Sequence, residues 1–146
     1  MSHSYTKIWI HAIWATKERQ NLILPKIENT IHGLIKSQLE ELGCSVKAIN
    51  GMPDHVHCIF LLNPQKSIAE VIKTIKGGTS HYINQNDLTP SKFSWQTGYS
   101  AFSVSESALE KVENYIKNQK EHHALKSFND EYQEFLKLHG LNNNKF

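Results

Sequence analysis

The chain has 146 residues, 39% hydrophobic and 21% charged, which suffices for one domain with its own core. No apolar run approaches the roughly 20 residues that span a bilayer, and we expect no secretory signal at the N-terminus. The formal net charge of +2 does not indicate a nucleic-acid binder, so any such ligand would be held by local patches. Two cysteines are too few for a disulfide framework, and a reducing cytoplasm fits them.

The first half of the chain predicts a strand, a helix and a β-hairpin. Residues 6–14 are β-branched and aromatic, as strands are. From Pro25 the apolar residues repeat with a helical period, and Gly43 stands where a C′ glycine would end the helix. Residues 44–50 and 55–62 predict two further strands, which the Gly-Met-Pro-Asp turn between them would join as a hairpin.

The segment after the hairpin predicts a second helix and a short fourth strand. Ser67 is placed to cap the helix, and the pair Gly77 and Gly78 is expected to weaken or end it. Residues 84–98 are rich in Asn, Gly, Ser and Pro and predict a loop. Residues 101–104 then predict the fourth strand.

Two helices are predicted at the C-terminal end. Ser107 and Glu110 have the spacing of a capping box for a helix that runs to about His123, and a last helix begins near Ser127. The order β-α-β-β-α-β followed by helices predicts an α+β fold, with a ferredoxin-like antiparallel sheet and additional C-terminal helices. We expect residues 1–146 to form a single domain. This fold hosts many unrelated activities, so function must come from particular residues.

A pair of histidines stands at the start of the third strand. The strand period of two places His55 and His57 on one face together with Ile59 and Leu61. Two imidazoles on a rigid strand can converge on one divalent cation, and histidine suits Mn²⁺ and its neighbours. The alternative is that both are half-buried histidines, each bonded to a backbone carbonyl. A metal site would also need a third ligand from elsewhere in the chain.

The helix after the fourth strand offers that ligand. Its apolar stripe docks it, and Tyr115 and Gln119, four residues apart, stack at the edge of that stripe. Gln119 offers a carbonyl oxygen to a hard cation, and Tyr115 offers a phenol one turn away. The alternative is an ordinary boundary aromatic and a solvent-facing amide. Tyr82 and Asn86 have the same spacing, so the pair gains meaning only in combination with the histidines.

Three motifs together resemble the HUH single-tyrosine transposases of bacterial insertion sequences and the related repeat-associated tyrosine transposases. They are Pro-Asp-His-Val-His at 53–57, Trp-Gln-x-Gly-Tyr-Ser-Ala-Phe-Ser-Val-Ser at 95–105, and Tyr-Ile-x-Asn-Gln-x-x-His-His at 115–123. Their order and spacing fit the family from about Tyr5 to Leu138. The combination of motifs is specific, whereas either the histidine pair or the tyrosine motif alone would be weak.

The resemblance implies a homodimer with a ferredoxin-like fold that cuts and rejoins single-stranded DNA near hairpins. It makes His55 and His57 metal ligands for Mg²⁺ or Mn²⁺, Gln119 the third ligand, and Tyr115 the nucleophile that forms a 5′-phosphotyrosine. A recurrent pair of histidines in the family matches His122 and His123 without an assigned role. The resemblance leaves open whether Tyr115 serves the histidines of its own subunit or those of a partner.

Contacts to DNA are less readable from the sequence. Basic side chains after the first strand and on the second helix are candidates for contacts to phosphates, which position DNA without specifying its sequence; they are Lys17, Arg19, Lys73 and Lys76. Trp95 or Tyr99 can stack on an unpaired base. The alternative makes these lysines solvated surface groups and these aromatics part of the core.

Two other function classes fit parts of the pattern. A non-catalytic module that binds single-stranded nucleic acid keeps the fold and the aromatics, but it leaves the coincidence of histidines, tyrosine and glutamine unexplained. A metal-dependent hydrolase of small phosphoesters would use the histidines as ligands and water as nucleophile, so its activity would survive the substitution Tyr115→Phe. Formation of tyrosine-linked DNA separates the transposase from both.

Overall fold

The computed structural model describes residues 4–122 and 127–138. These residues form four strands and five α-helices in the order β1 Trp9–Ala15, α1 Pro25–Glu41, β2 Ser45–Met52, β3 His55–Leu61, α2 Ile68–Gln85, β4 Ser100–Val104, α3 Leu109–Lys117, α4 Gln119–His122 and α5 Phe128–Leu138. Short 3₁₀ turns precede α1 and α3, at Lys17–Arg19 and Glu106–Ala108. Within the described ranges, no helix has both the length and the apolar character to cross a bilayer.

The four strands form one antiparallel sheet in the order β2-β3-β1-β4. This arrangement confirms the predicted α+β fold with a ferredoxin-like sheet and C-terminal helices. β2 and β3 form the predicted hairpin, with Met52 opposite His55. β1 lies between β3 and β4, and its register sets Ile13 opposite His57 and His11 opposite Ile59. Two histidine-bearing strands are therefore neighbours.

The two faces of the sheet are covered by different helices because side chains alternate along each strand. One face packs on α1 and α2 through the residues Ile10, Ala12, Trp14, Val56, Cys58 and Phe60. The other face packs on α3 through Ile59 and on α5 through Ile13. His55 and His57 share the alternation of Ile59, so they face the C-terminal helices.

Local signals for turns and caps explain several of the boundaries. Gly43 follows α1 with a φ of +78°, the left-handed C′ conformation that glycine adopts without strain. Ser67 caps α2 as predicted, in a capping box in which it exchanges hydrogen bonds with Glu70. Ser127 precedes α5, and its hydroxyl accepts a hydrogen bond from the Asp130 amide.

Of the two expectations for Gly77 and Gly78, the one that they end α2 is wrong, because the helix continues to Gln85. Its buried stripe runs on past the glycines through Thr79 and Ile83, and this packing outweighs their poor helix propensity. Gly78 has a packing role, since a Cβ there would lie 2.5 Å from the Gln38 side chain of α1. The predicted loop is correspondingly shorter and begins after residue 85.

The predicted capping box at the tyrosine helix is also wrong. A 3₁₀ turn takes up Ser107, and α3 begins at Leu109 with no side-chain cap. The predicted single helix to about His123 is divided at Asn118 into α3 and α4. The side-chain amide of Asn50 in β2 donates to the Lys117 carbonyl, which satisfies an acceptor that the end of a helix leaves open. His123 lies outside the described residues.

Gly51 in the β2–β3 hairpin should tolerate no side chain. A Cβ there would lie 2.2 Å from the backbone oxygen of His55, and backbone cannot move aside as a flexible side chain can. We expect Gly51→Ala to lower the free energy of unfolding by about 1–3 kcal/mol, as overpacking does. Gly77→Ala is the opposite control, because its Cβ meets nothing within 4 Å. It should stabilise the protein by about 0.5–1 kcal/mol. Urea unfolding measures both, and a Gly51→Ala protein of unchanged stability would contradict this packing.

Candidate active site

Side chains from three parts of the chain converge between the sheet and its C-terminal helices. β3 contributes His55 and His57, the junction of α3 and α4 contributes Tyr115 and Gln119, and α5 contributes Glu131. Four of these five side chains are buried, with Tyr115 partly exposed. The structure therefore brings together, within one chain, the histidine pair and the tyrosine and glutamine that the sequence singled out.

Apolar packing positions the helices that carry these groups. α3 docks by Leu109 and Ile116 against Ala48 and Ile59 of the sheet. α5 docks by a separate apolar cluster, made of Ile13, Phe102, Phe128 and Leu136. β3, α3 and α5 are thus each held by their own buried contacts, and these contacts position the polar groups that lie between them.

Each histidine of β3 is oriented by a partner at Nδ1, the ring nitrogen that points away from the cluster. Nδ1 of His55 lies 2.8 Å from a carboxylate oxygen of Asp54, and Nδ1 of His57 lies 2.9 Å from Nε2 of His11 on β1. Such partners fix the tautomer and the ring orientation of a metal-binding histidine. Both Nε2 atoms consequently point into the space between the sheet and the helices.

The side-chain nitrogen and oxygen atoms that meet in this space are closely spaced. Nε2 of His55 lies 3.2 Å from Oε1 of Gln119, and Nε2 of His57 lies 3.0 Å from Oε1 of Glu131. The Gln119 amide donates to the other Glu131 oxygen at 3.1 Å. The ligand atoms of His55, His57 and Glu131 all lie within 4.8 Å of one another. Two imidazoles, an amide oxygen and a carboxylate form a donor set that fits a divalent cation such as Mn²⁺.

The Tyr115 ring stands beside this cluster. Its centroid lies 5.8 Å from that of His57, with the rings at 76°, and 6.4 Å from that of His11. Burial, reinforced by hydrogen bonding to the Glu131 carboxylate, raises the pKa of Tyr115 far above its ordinary value. The phenol is therefore protonated at neutral pH in this state of the protein.

A cavity of about 660 Å³ opens beside Tyr115, between β4, α3 and α5. Tyr115, Glu131 and His11 lie on its wall nearest the histidines, and Lys111 contributes a cation to its lining. The cavity reaches the ring of Tyr115, while the hydroxyl itself is buried. It also accounts for the partial exposure of a side chain that is otherwise packed in the core.

α5 covers the other side of the histidine pair. The Phe128 ring stacks on the His55 ring with centroids 3.9 Å apart, and the Arg19 guanidinium lies 4.8 Å from the centroid of the Phe128 ring. Arg19 also donates to the Asn129 side chain at 3.2 Å. Arg19, a candidate for DNA contact, is thus in contact with the helix that covers the site.

The candidate DNA lysines lie in different places. Lys17 is exposed in the 3₁₀ turn after β1. Lys73 is exposed on α2, which packs on the sheet face opposite the histidines. The Lys76 ammonium donates to the carbonyls of Gln96 and Gly98, both at 2.7 Å, and burial lowers its pKa. Lys73 and Lys76 are therefore not brought into the cluster around Tyr115.

The aromatic candidates divide between core and surface. Trp95 packs against Trp14 and Phe93, and its indole donates to the Thr79 hydroxyl, as a core residue would. Tyr99 is 40% exposed and remains available to a base. The side chain of His122 and all of His123 lie outside the described part of the structure.

Sequence reasoning missed Glu131, Asp54 and His11. Asp54 is adjacent to the histidine pair, and His11 lies on the strand face that the period of β1 shares with Ile13. Glu131 had a weaker signal: it shares a helix face with the apolar residues Phe128 and Tyr132, where a carboxylate is unexpected. None of the three positions could be connected to the histidines without the strand register and the docking of α5.

A known protein family, a relative and solved structures match this chain. Residues 4–119 match the family described as IS200-like transposases. The ISDra2 transposase TnpA of Deinococcus radiodurans is 25% identical over 114 residues, which cover 75% of this chain and 81% of that protein. The crystal structure of a candidate transposase from D. radiodurans R1 superposes with a TM-score of 0.65 and 26% identity, covering 82% of this chain and 96% of the other.

A second solved structure, a REP-associated tyrosine transposase bound to a REP hairpin, superposes with a TM-score of 0.63. At 16% identity over 84% of this chain and 73% of that one, it shows a common fold. Fold and family together define a DNA transposase of the single-tyrosine HUH type, and the resemblance stated from the motifs is confirmed. This chain belongs to the IS200-like transposase family, which implies DNA strand transfer in general.

The raised pKa of Tyr115 can be measured by alkaline titration. Its folded-state pKa lies above the unfolded value of about 10, so its stabilising contribution is present below pH ~10 and is lost as the pH rises further. Wild type has five tyrosines, and we expect Tyr115→Phe to form as much tyrosinate as wild type near pH ~10 in the folded state. Ultraviolet absorbance measures this, and a deficit of about half a tyrosinate in the variant at that pH would contradict the assignment.

Proposed function

We propose that this protein cuts and rejoins single-stranded DNA, with Tyr115 as the nucleophile and Mg²⁺ or Mn²⁺ held by His55, His57 and Gln119. One observation carries the proposal. His55 and Gln119, 64 positions apart in the sequence, meet in a buried cluster beside the phenol of Tyr115. Such a meeting of groups has no structural necessity, because apolar residues would fill the same space at lower cost.

The spacing of the inner atoms suits a metal. Two ligands at right angles, each about 2.1 Å from an octahedral cation, are about 3 Å apart. Nε2 of His55 and Oε1 of Gln119 lie at 3.2 Å. His55, His57 and Gln119 would hold a divalent metal there, which would supply polarisation of the scissile phosphate and would offset the charge on its oxygens. Asp54 and His11 would serve as positioning residues, because they orient the rings without touching the reacting atoms.

Tyr115 would carry the covalent step. Its phenolic oxygen bonds to phosphorus, the bond from phosphorus to the 3′-oxygen breaks, and the phenolic proton ends on that departing oxygen. The products are a 5′-phosphotyrosine and a free 3′-hydroxyl. Because a phenol, with a pKa of about 10, leaves more readily than an alcohol, a second 3′-hydroxyl can reverse the step and reseal the strand without ATP.

The surroundings of Tyr115 support strand transfer rather than hydrolysis. A phosphotyrosine must be kept from water until the incoming 3′-hydroxyl arrives, and a buried site excludes competing water. The histidines, Gln119 and the Tyr115 hydroxyl are buried, and the cavity beside the Tyr115 ring would receive the DNA strand. A hydrolase of small phosphoesters would instead need space for a nucleophilic water.

The partners follow from this reaction. The substrate would be single-stranded DNA that carries hairpins at the ends of a mobile element, and the related transposase solved with a REP hairpin supports that choice. We retain the candidates Lys17, Arg19, Lys73 and Lys76 for contacts to its phosphates, and the homodimer that the family resemblance implies. Tyr115 lies beside the histidines of its own chain, so each subunit would hold a complete site. We retain the cytoplasm as the proposed location of this protein, because its proposed substrate is DNA.

Tyr115→Phe should abolish covalent attachment and leave DNA binding within about twofold, because only the nucleophilic oxygen is removed. The probe is a pool of 3′-labelled single strands, each with a hairpin flanked by random sequence, incubated with Mn²⁺ and resolved on a denaturing gel. Label that migrates with the protein reports the 5′-phosphotyrosine. Tyr82→Phe, at an exposed tyrosine of α2, is the matched control and should form the adduct normally.

Two results of that assay bear on the alternatives. Cleavage that persists in Tyr115→Phe would refute the tyrosine nucleophile and favour a water-dependent hydrolase. Wild-type protein that binds the strands but forms no adduct with either Mn²⁺ or Mg²⁺ would favour the non-catalytic binding module.

The proposed contact between Lys17 and a DNA phosphate can be tested through the salt dependence of DNA affinity. Each phosphate neutralised on a single strand contributes about 0.7 to the slope of log affinity against log salt concentration. We expect Lys17→Ala to reduce the magnitude of that slope by about this amount, whereas Lys26→Ala, at an exposed lysine of α1, should leave it unchanged. Fluorescence anisotropy over a salt series gives both slopes. Equal slopes for Lys17→Ala and wild type would remove Lys17 from the interface.

A further inference from the structure

Glu131 is a buried carboxylate in the middle of the cluster, and the matched family segment does not include it. That segment ends at residue 119, and Glu131 follows Gln119 by 12 positions, on α5. Its side chain is nevertheless among the most enclosed charged groups of the described chain, with 5% of the residue exposed. A carboxylate is buried only where partners compensate the loss of water.

We propose that Glu131 is a fourth protein ligand of the metal, so that metal binding fastens α5 over the histidine pair. The inference rests on the proposed metal site and adds to it a ligand from a helix beyond the family segment. It also gives α5 a function that its apolar contacts alone do not require.

The distances around Glu131 suit coordination. In an octahedral site with metal–ligand bonds of about 2.1 Å, adjacent ligands lie about 3 Å apart and opposite ligands about 4.2 Å apart. Oε1 of Glu131 lies 3.0 Å from Nε2 of His57 and 3.9 Å from Nε2 of His55. One cation could therefore contact all three atoms with small adjustments.

The second carboxylate oxygen has a separate use. Oε2 accepts a hydrogen bond from Nε2 of Gln119 at 3.1 Å. That bond sets the orientation of the amide, so that Oε1 of Gln119 faces His55. Glu131 would thus bind the metal with one oxygen and hold the amide ligand in place with the other.

Charge supplies an independent reason. His55, His57 and Gln119 bind a metal as neutral groups, and a buried divalent cation with neutral ligands lacks compensating charge. Glu131 brings one negative charge directly to the imidazole nitrogens. Asp54 lies on the outer side of His55, where it pairs with Nδ1.

The position of Glu131 on α5 also affects how this helix is attached to the sheet. α5 is held to the sheet side by Phe128 on the His55 ring and by a hydrogen bond between Tyr132 and Ser100. A metal bond to Glu131 would add an attachment between these two positions of the helix. Metal binding and the docking of α5 should therefore stabilise one another, since a coupling free energy is reciprocal.

The test uses the full-length chain and Mn²⁺ as the probe. Isothermal titration measures Mn²⁺ affinity, and amide hydrogen exchange measures the protection of α5 with and without Mn²⁺. In wild type, saturating Mn²⁺ should slow exchange in α5 at least about tenfold. Glu131→Gln should weaken Mn²⁺ binding by about 10–100-fold and lose that extra protection even at saturating Mn²⁺. Asp130→Asn, which removes a neighbouring exposed carboxylate, should behave as wild type.

Two further variants separate ligation from simple loosening of α5 and from failure of the metal site. Tyr132→Phe removes the hydroxyl bonded to Ser100 but keeps the carboxylate, so Mn²⁺ affinity and metal-induced protection should remain close to those of wild type. An equal loss in Tyr132→Phe and Glu131→Gln would overturn ligation by Glu131. His55→Ala should abolish tight binding. If it does so while Glu131→Gln matches wild type, Glu131 is not a ligand and the proposed function stands; if wild type binds no Mn²⁺, both fall.

Discussion

The orientation of two imidazoles on β3 is the constraint on which the rest of the site depends. His55 and His57 are held from outside, one by the Asp54 carboxylate and the other by His11, and both therefore present Nε2 to the same enclosed space. Every other polar group of the cluster is bonded to one of these two nitrogens or to a neighbour that is. Without that arrangement, Gln119 and Glu131 would lose their hydrogen bonds to the histidines, and their burial would cost free energy.

The two faces of the ferredoxin-like sheet have different roles, since one packs the hydrophobic core and the other carries the polar groups of the candidate site. One face is occupied by the apolar packing of α1 and α2 and carries most of the hydrophobic core. The opposite face can therefore hold histidines, since its smaller apolar clusters need only dock α3 and α5. The antiparallel register sets His11 diagonally across from His57 on the same face, where their ring nitrogens lie 2.9 Å apart.

Much of the fold and of the candidate site could be predicted from local signals in the sequence. Strand alternation placed the histidine pair on one face, helical spacing placed Tyr115 beside Gln119, and Gly43 and Ser67 marked helix ends, because each of these rules acts over a few residues. What could not be predicted required tertiary contacts. The continuation of α2 through Gly77 and Gly78 is accompanied by packing against α1, and the end of α3 at Lys117 is bonded to Asn50 of β2. Glu131 and His11 reach the site only through helix docking and strand register.

Locating the metal directly tests the central claim, that imidazole nitrogens and an amide oxygen far apart in the chain bind one cation beside Tyr115. Crystals grown with Mn²⁺ would be measured by anomalous diffraction at the manganese edge. The account predicts one strong peak about 2.0–2.3 Å from Nε2 of His55, Nε2 of His57 and Oε1 of Gln119. A peak bound elsewhere on the protein, or fully occupied manganese with either Nε2 outside bonding distance, would contradict it.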